Sequence, residues 1–387
     1  MPDVHAKLSA SGAKRWLSCP PSVKLEEEFN EEPSIYAEEG TYAHALAEIK
    51  LRLALGQIKK KEYEKLVRAL EKEYENFHNQ SLVEYVEAYV GKVQEFFAEA
   101  KAHTSDAVIE LEQRVDFSRW VPEGFGTSDV VIIAEGVLHI IDLKFGQGVR
   151  VDAEDNPQLK LYALGAYEAF DMLYDIQQVK MTIIQPRLDH ISSSELVIED
   201  LLEWGENYVK PRADLAFNGE GEFAPGEHCR FCKAKAVCKA RAEKQLELMK
   251  YNFESPDSFT DDELGILLKD IGKLLDWAKD VSDYMYEQAT QHGRHFEGWK
   301  LVEGRSTRKY TDTIVVAKAL KDAGYKEAVI YEKNLLTITA MEKVIGKKAF
   351  NEIVGHLIEK PQGKPVLVPI EDKRTEISTV KAIKESF

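Results

Sequence analysis

Cysteine is scarce: the 387-residue chain has four, Cys19, Cys229, Cys232 and Cys238, too few for a disulfide framework in a protein of this size. Long hydrophobic runs are missing as well. No stretch approaches the roughly 18 apolar residues of a membrane span, and residues 1–17 mix Lys, Ser and Ala without the apolar segment of a secretory signal. These absences lead us to expect a cytoplasmic protein with no membrane partner. Positive charge is in deficit, with 51 Lys and Arg against 67 Asp and Glu and a net charge of −16. No global basic field can recruit nucleic acid, which argues against a DNA-coating protein. It does not exclude a nuclease, because metal-holding carboxylates and a local basic groove can coexist with an acidic remainder. There is no internal repeat, no low-complexity tract and no phosphate loop of a motor. What remains, 44% apolar and 30% charged residues, is the composition of a globular protein, long enough for a main domain plus an appended one.

The pattern along the chain begins helical. Residues 9–18 read as a short helix opened by Ser9 or Ser11 and stopped by Pro20-Pro21, and Thr41 is placed to cap a second over residues 42–55, ended by Gly56. Residues 62–101 carry apolar positions at helical spacing, enough for one or two long amphipathic helices. The period then changes: residues 108–117, 128–134, 137–145 and 179–185 are short and β-branched, as strands are. Between the last two lies a helix from Pro157 to about Asp171, with Asn156 as cap. A helix over 199–216, a cysteine-rich loop at 224–238 and a helix to about 250 follow. Residues 252–260 look like a linker, 261–291 like a helix, and 299–387 like a mixed segment with two basic loops. Helix, three strands, helix, strand is the outline of an α/β sandwich around a mixed sheet.

The chemistry concentrates in a hairpin. If Glu135-Gly136 is its turn, opposed residues have numbers that sum to 271, which sets Asp129 against Asp142, with Lys144 two residues on and on the same face. Two like charges opposed in a sheet repel unless a cation lies between them. Hard oxygen donors favour Mg²⁺ or Mn²⁺, and Lys144 is placed to orient or deprotonate an attacking water or to stabilise charge at phosphorus. The flanking residues are apolar on both faces, so the hairpin should be interior to the sheet rather than a surface ion pair. Gln158 and Tyr162 share a helix face just beyond. His44 is a candidate further ligand, and imidazole would tilt the preference toward Mn²⁺.

Cys229, Cys232 and Cys238 form C-x2-C-x5-C, and Cys19 lies about 210 residues upstream. Four thiolates can bind Zn²⁺ or a [4Fe-4S] cluster, and spacing alone does not choose. Either would clip the first helix to the end of the main domain.

Taken together, Cys19, Gly40-Thr41-Tyr42-Ala43-His44, Gly126-Thr127-Ser128-Asp129, Asp142-Leu143-Lys144, Gln158 to Tyr162 and the late cysteine trio resemble the RecB-like branch of the PD-(D/E)XK nucleases. That branch includes AddB-type helicase-nuclease subunits and CRISPR-adaptation nucleases. Over nearly its whole length the chain also resembles an uncharacterised family encoded by phages and prophages, which shares Val302-Glu303-Gly304-Arg305-Ser306 and Lys360-Pro361-Gln362-Gly363-Lys364-Pro365. The resemblance implies a restriction-endonuclease-like α/β core with a helical N-terminal insertion over residues 1–250, and an α+β accessory region over 251–387. It implies that His44, Asp129 and Asp142 bind metal, that Lys144 assists the nucleophile with Gln158 and Tyr162 in support, and that the four cysteines hold [4Fe-4S] in place of zinc. The expected activity is metal-dependent hydrolysis of DNA at ends or on single strands in phage recombination or replication, alongside other replication or recombination proteins. The alternative is a non-catalytic DNA-binding or assembly factor on the same fold. Two departures stand out: no motor accompanies the nuclease motifs, and the second carboxylate is Asp where many relatives have Glu. In the C-terminal region Arg305, Arg308 and Lys309, and later Lys360, Lys364, Lys373 and Arg374, are candidate phosphate contacts or solvated loops.

Overall fold

The computed structural model describes residues 6–29, 35–134, 136–247, 259–302, 312–324, 326–331 and 336–358. Helices α1 (Ala13–Ser18) and α2 (Ser22–Glu26) flank Pro20-Pro21, so the prolines join two short helices where the sequence suggested only a stop. Helix α3 spans Ile35–Ala54 and begins earlier than expected. Thr41 is therefore interior to it, its hydroxyl donating to the Ala37 carbonyl at 3.0 Å instead of capping. The charged stretch divides into α4 (Lys60–Glu73) and α5 (Gln80–His103), the latter capped by the Asn79 side chain on the Leu82 N–H.

Strands β1 (Val108–Asp116), β2 (Phe125–Ala134) and β3 (Val137–Leu143) form an antiparallel run. Helix α6 (Pro157–Tyr174), with Asn156 accepting from the Gln158 and Leu159 N–H groups, crosses over to β4 (Gln178–Gln185), which pairs parallel to β3. The sheet order is β1-β2-β3-β4-β5, with β5 (His190–Val197) antiparallel on the β4 edge. The fold is thus mixed α/β around a five-stranded mixed sheet, and the β2-β3 hairpin lies inside it. Strand β5 is not expected from the sequence, because its Ser-Ser-Ser-Glu centre is polar and half of its side chains are exposed.

One sheet face packs on α6 and the N-terminal helices through Trp16, Val131, Ile140 and Leu161; the other packs on α3 and α5 through Leu46, Tyr89, Val130 and Ile141. The helix expected over 199–216 is interrupted. Helix α7 (Ile198–Trp204) passes through a π turn, Gly205–Val209, into α8 (Lys210–Asn218), near whose start Pro211 lacks an N–H to bond. Gly205 is needed there, since a Cβ would lie 2.8 Å from Trp120 Nε1. Helices α9 (Lys239–Leu246) and α10 (Asp261–His292) follow the cysteine loop.

Contacts divide the chain into Met1–Tyr286 and Glu287–Phe387. The boundary expected at 250/251 lies outside the described residues. In the second unit the described residues form α11 (Thr313–Asp322), α12 (Glu327–Ile330), α13 (Ile338–Ile345) and α14 (Lys347–Val354), with no strand among them, so the described part of the expected α+β region is helical. Arg305, Arg308, Lys309, Lys360, Lys364, Lys373 and Arg374 lie outside the described residues. No described helix is long and apolar enough to cross a membrane.

Candidate metal centre and cysteine site

The hairpin register is the one its turn dictates: Ala134 faces Val137 and Val130 faces Ile141. Glu135, half of that turn, lies outside the described residues, while Gly136 takes φ +74°, the left-handed conformation a tight turn requires. Main-chain pairing of β2 with β3 ends at Val130. Beyond it the carboxylate of Asp129 substitutes for the missing rung, its Oδ2 accepting the Leu143 N–H at 2.7 Å. Its Oδ1 stands 3.2 Å from Nδ1 of His44 on α3.

A third donor, missed in the sequence, is Glu112 on β1. Pairs Leu111↔Val130 and Gln113↔Ser128 bracket it, so it falls opposite Asp129. Its φ is +50°, a costly conformation for a glutamate. The kink changes which way the strand faces: Leu111 packs with the α3/α5 cluster, whereas Val115, four residues on, packs with the α6 cluster. Unbroken alternation would keep both on one face. His44, Glu112 and Asp129 each offer a ligand atom, and these atoms lie within 4.8 Å of one another, the sole such trio of His, Cys, Asp or Glu donors among the described residues. The register of β1 against β2 would have revealed Glu112, but the connection over 118–124 is no tight turn and leaves that register unreadable from sequence.

Asp142 is buried beside the trio and bound differently. Its Oδ2 is 2.8 Å from Lys144 Nζ, and its Oδ1 accepts from Gln158 Nε2 at 2.9 Å. Gln158 Oε1 in turn accepts from Lys144 Nζ at 2.8 Å, and its Nε2 reaches the Tyr162 hydroxyl at 3.3 Å. The residues expected on the helix after the D-x-K strand thus close a ring around Lys144. Gly126 belongs to this ring, because a Cβ there would lie 2.8 Å from Tyr162 Cε1.

Electrostatics at the trio are polarised. Burial works against a charged His44, but the charge and hydrogen bond of Asp129 overcome it and raise the imidazole to about 9. Burial likewise opposes ionisation of Asp129, yet His44 and the Leu143 N–H hold it below the usual carboxylate range. Burial, then the charges of Asp129 and Glu48, push Glu112 up to about 7. Burial raises Asp142 too, with Asp129 adding and Lys144 opposing. The Tyr89 hydroxyl, buried and without a hydrogen-bond partner, feels Asp129, Asp142 and Glu112. Asp142 Oδ2 is buried too, with the Lys144 ammonium as its partner at 2.8 Å. In chemical terms the protonated His44 neutralises Asp129 where a cation would, and the carboxylate oxygens of Asp129 and Glu112 fit a divalent ion in its place.

The four cysteines come together. Cys19 at the end of α1, Cys229 and Cys232 in and after a 3₁₀ turn, and Cys238 at the start of α9 line one cavity with Arg15, His228 and Arg241, and all four are free thiols. Burial raises the Cys19 thiol, with Cys229 and Cys238 adding to it, and burial with Glu26 pushes Cys232 to about 12. Such thiols would be inert on their own. Polar clasps hold the two chain segments: Glu26 receives Arg15 at 2.6 Å and the Lys233 N–H at 2.7 Å, and Arg212 donates to the Leu17 carbonyl at 2.8 Å. Asp280 of α10 binds Lys235 at 2.9 Å and Arg241 at 2.7 Å.

Residues 5–375 match the model of a family described as "Protein of unknown function (DUF2800)". Among solved structures, "Crystal structure of SSO0001" is similar at 12% identity, with 59% of this chain and 96% of that chain covered and a TM-score of 0.21.

Proposed function

We propose that this chain, which belongs to the DUF2800 family, is a metal-dependent DNA nuclease built on a PD-(D/E)XK core and closed by a four-cysteine iron-sulfur cluster. The observation that carries the reading is the adjacency of a His-Glu-Asp trio to a buried Asp-Lys-Gln ring at the end of an internal hairpin. Buried carboxylates cost free energy unless paired, and this group has more carboxylates than cationic partners.

His44, Glu112 and Asp129 would hold a divalent cation, Mg²⁺ or Mn²⁺, which when bound supplies Lewis acidity toward a phosphodiester. Lys144, held by Asp142 and Gln158, keeps its ammonium at a fixed point beside the trio. There it orients the attacking water and stabilises the charge that grows on the phosphoryl oxygens. Gln158 fixes the ring by donating to Asp142 while accepting from Lys144, and Tyr162 braces it from the next helical turn.

At the cysteine site four free thiols lining one cavity form a ligand set that suits either a tetrahedral ion or a cluster. The iron-sulfur reading rests on the resemblance carried by Cys19 and the C-x2-C-x5-C trio.

Purified protein incubated with Mn²⁺ and end-labelled linear DNA or circular DNA tests the activity. Metal-dependent loss of the linear substrate is expected, and the circular one separates end-dependent from internal cleavage. Intact substrates with every divalent ion would sink the reading and leave a binding or assembly role on the same fold.

A further inference from the structure

Beyond the metal centre, α3 carries a stripe that the proposed chemistry does not use. Tyr36, Gly40 and His44 are spaced at i, i+4 and i+8 and so lie along one side of the helix. His44 ends the stripe in the metal trio. Gly40, one turn earlier, faces open space, with nothing within 4 Å of the position its Cβ would take. Tyr36, one turn earlier again, has 84% of its surface exposed, unusual for an aromatic ring. Helical rise puts Tyr36 about 12 Å from His44 along the axis, a few nucleotides at about 3.4 Å per step.

Beside the stripe stands Arg187, in the turn after β4. It pairs with Glu39 of α3 at 2.6 Å and packs its guanidinium 5.0 Å from the Phe145 ring centroid, next in sequence to Lys144. With its amide oxygen turned toward the guanidinium, Gln147 accepts from Arg187 Nε and Nη2 at 2.6 and 2.7 Å. A guanidinium held in a plane by three neighbours is preorganised for a bidentate anion, and its carboxylate partner is one that a phosphate can replace.

We infer that the Tyr36-Gly40-His44 side of α3 and Arg187 form the track along which a single strand of nucleic acid reaches the metal trio. A base stacks on Tyr36, the backbone passes over Gly40, and Arg187 exchanges Glu39 for a phosphate. Stacking on an exposed aromatic next to a cationic phosphate contact is how single strands are bound without sequence preference. A paired base would not present its face to Tyr36. This inference rests on the nuclease reading, narrows its substrate to a single strand and adds the route.

The test uses the full chain and a fluorescent oligo-thymidine strand, with binding read by anisotropy in EDTA so that no cleavage enters. Tyr36→Ala and Arg187→Ala should each weaken binding about tenfold, with Tyr36→Phe close to wild type. Arg187→Ala should also flatten the salt dependence by about 0.7 in slope. Glu39→Gln should tighten binding by freeing Arg187; were the pair merely structural, losing either member would change binding in the same direction. Gly40→Leu is the sharpest variant, because its side chain enters open space: it should fold with undiminished thermal stability yet bind about tenfold more weakly. Wild-type binding by both Gly40→Leu and Tyr36→Ala would overturn the track, as would equal affinity of the wild type for a blunt duplex. If the wild type still cleaves DNA with Mn²⁺ while these variants bind normally, the track fails and the nuclease reading survives. If the wild type binds the strand, the variants weaken that binding and no cleavage is seen with any divalent ion, the nuclease reading fails and the track stands as a strand-binding surface.

Discussion

Glu112 occupies backbone that a glycine would take at less cost, and it does so where its carboxylate meets Asp129 and His44. Strain of about 1 kcal/mol or more at such a position persists only where the surroundings impose it. Replacing Glu112 with Gly should therefore raise the melting temperature by a few degrees while weakening Mn²⁺ binding at least tenfold. A variant that gains stability and still binds Mn²⁺ normally would remove Glu112 from the metal site. Asp129→Asn keeps an oxygen for the Leu143 N–H, and Lys144→Met keeps the length of the side chain. Each should cost at least about 100-fold in Mn²⁺-dependent cleavage, on the order of 2.7 kcal/mol, with an unchanged circular-dichroism spectrum. Full cleavage by both would place the chemistry elsewhere.

At the level of the element, β3, β4 and β5 are joined by side chains as well as by main chain. His139 Nε2 lies 2.8 Å from Thr182 Oγ1, which lies 2.9 Å from Ser193 Oγ, and the ring of Phe96 on α5 meets the imidazole edge-on at 5.1 Å. Burial, with Lys180 adding, lowers the His139 pKa to about 3. The folded imidazole thus stays neutral where the unfolded chain, near 6.5, takes up a proton. Stability is therefore lost as pH falls from about 6.5 toward 3, at up to about 1.4 kcal/mol per pH unit. Denaturant titrations between pH 4 and 7 should show that slope, and His139→Gln should flatten it; an unaltered slope would mean that other groups govern the acid limb. The same rungs explain how far the fold was legible. The β2-β3 register could be read because a two-residue turn fixes it, and the α6 boundary because Asn156 and Pro157 mark it. Strand β5 could not be read, since its pairing depends on Thr182 and on main chain offered by β4, neither visible in its own polar sequence. Glu112 escaped for the related reason that its role lies in a neighbour across the sheet. The π turn before Pro211 sets Gly205 against Trp120, a contact that helical periodicity alone does not encode.

For the whole molecule, the cysteine site joins segments about 210 residues apart. Replacing Cys19 with Ser should bleach brown, anaerobically purified protein, lower its iron content and destabilise it, by about 5 kcal/mol if the closed loop acts through chain entropy. A colourless wild type containing zinc would retain the clip but refute the cluster. The clasp does not depend on the cysteines alone, because Glu26, Arg15, Lys233, Leu17 and Arg212 bind the same two segments through hydrogen bonds and an ion pair. That arrangement has a consequence for how the chain is made. A ribosome releases the core residue Leu17 and its neighbour Glu26 about 200 residues before Arg212 and Lys233, which fasten them. At about 5–20 residues per second, the interval is roughly 10–40 s, during which the first two helices and the Cys19 thiol remain open to chaperones and oxidants. Ribosome-bound fragments truncated before Arg212 should therefore be cut by protease within their first 30 residues, and fragments extended past Cys238 and clear of the exit tunnel should not.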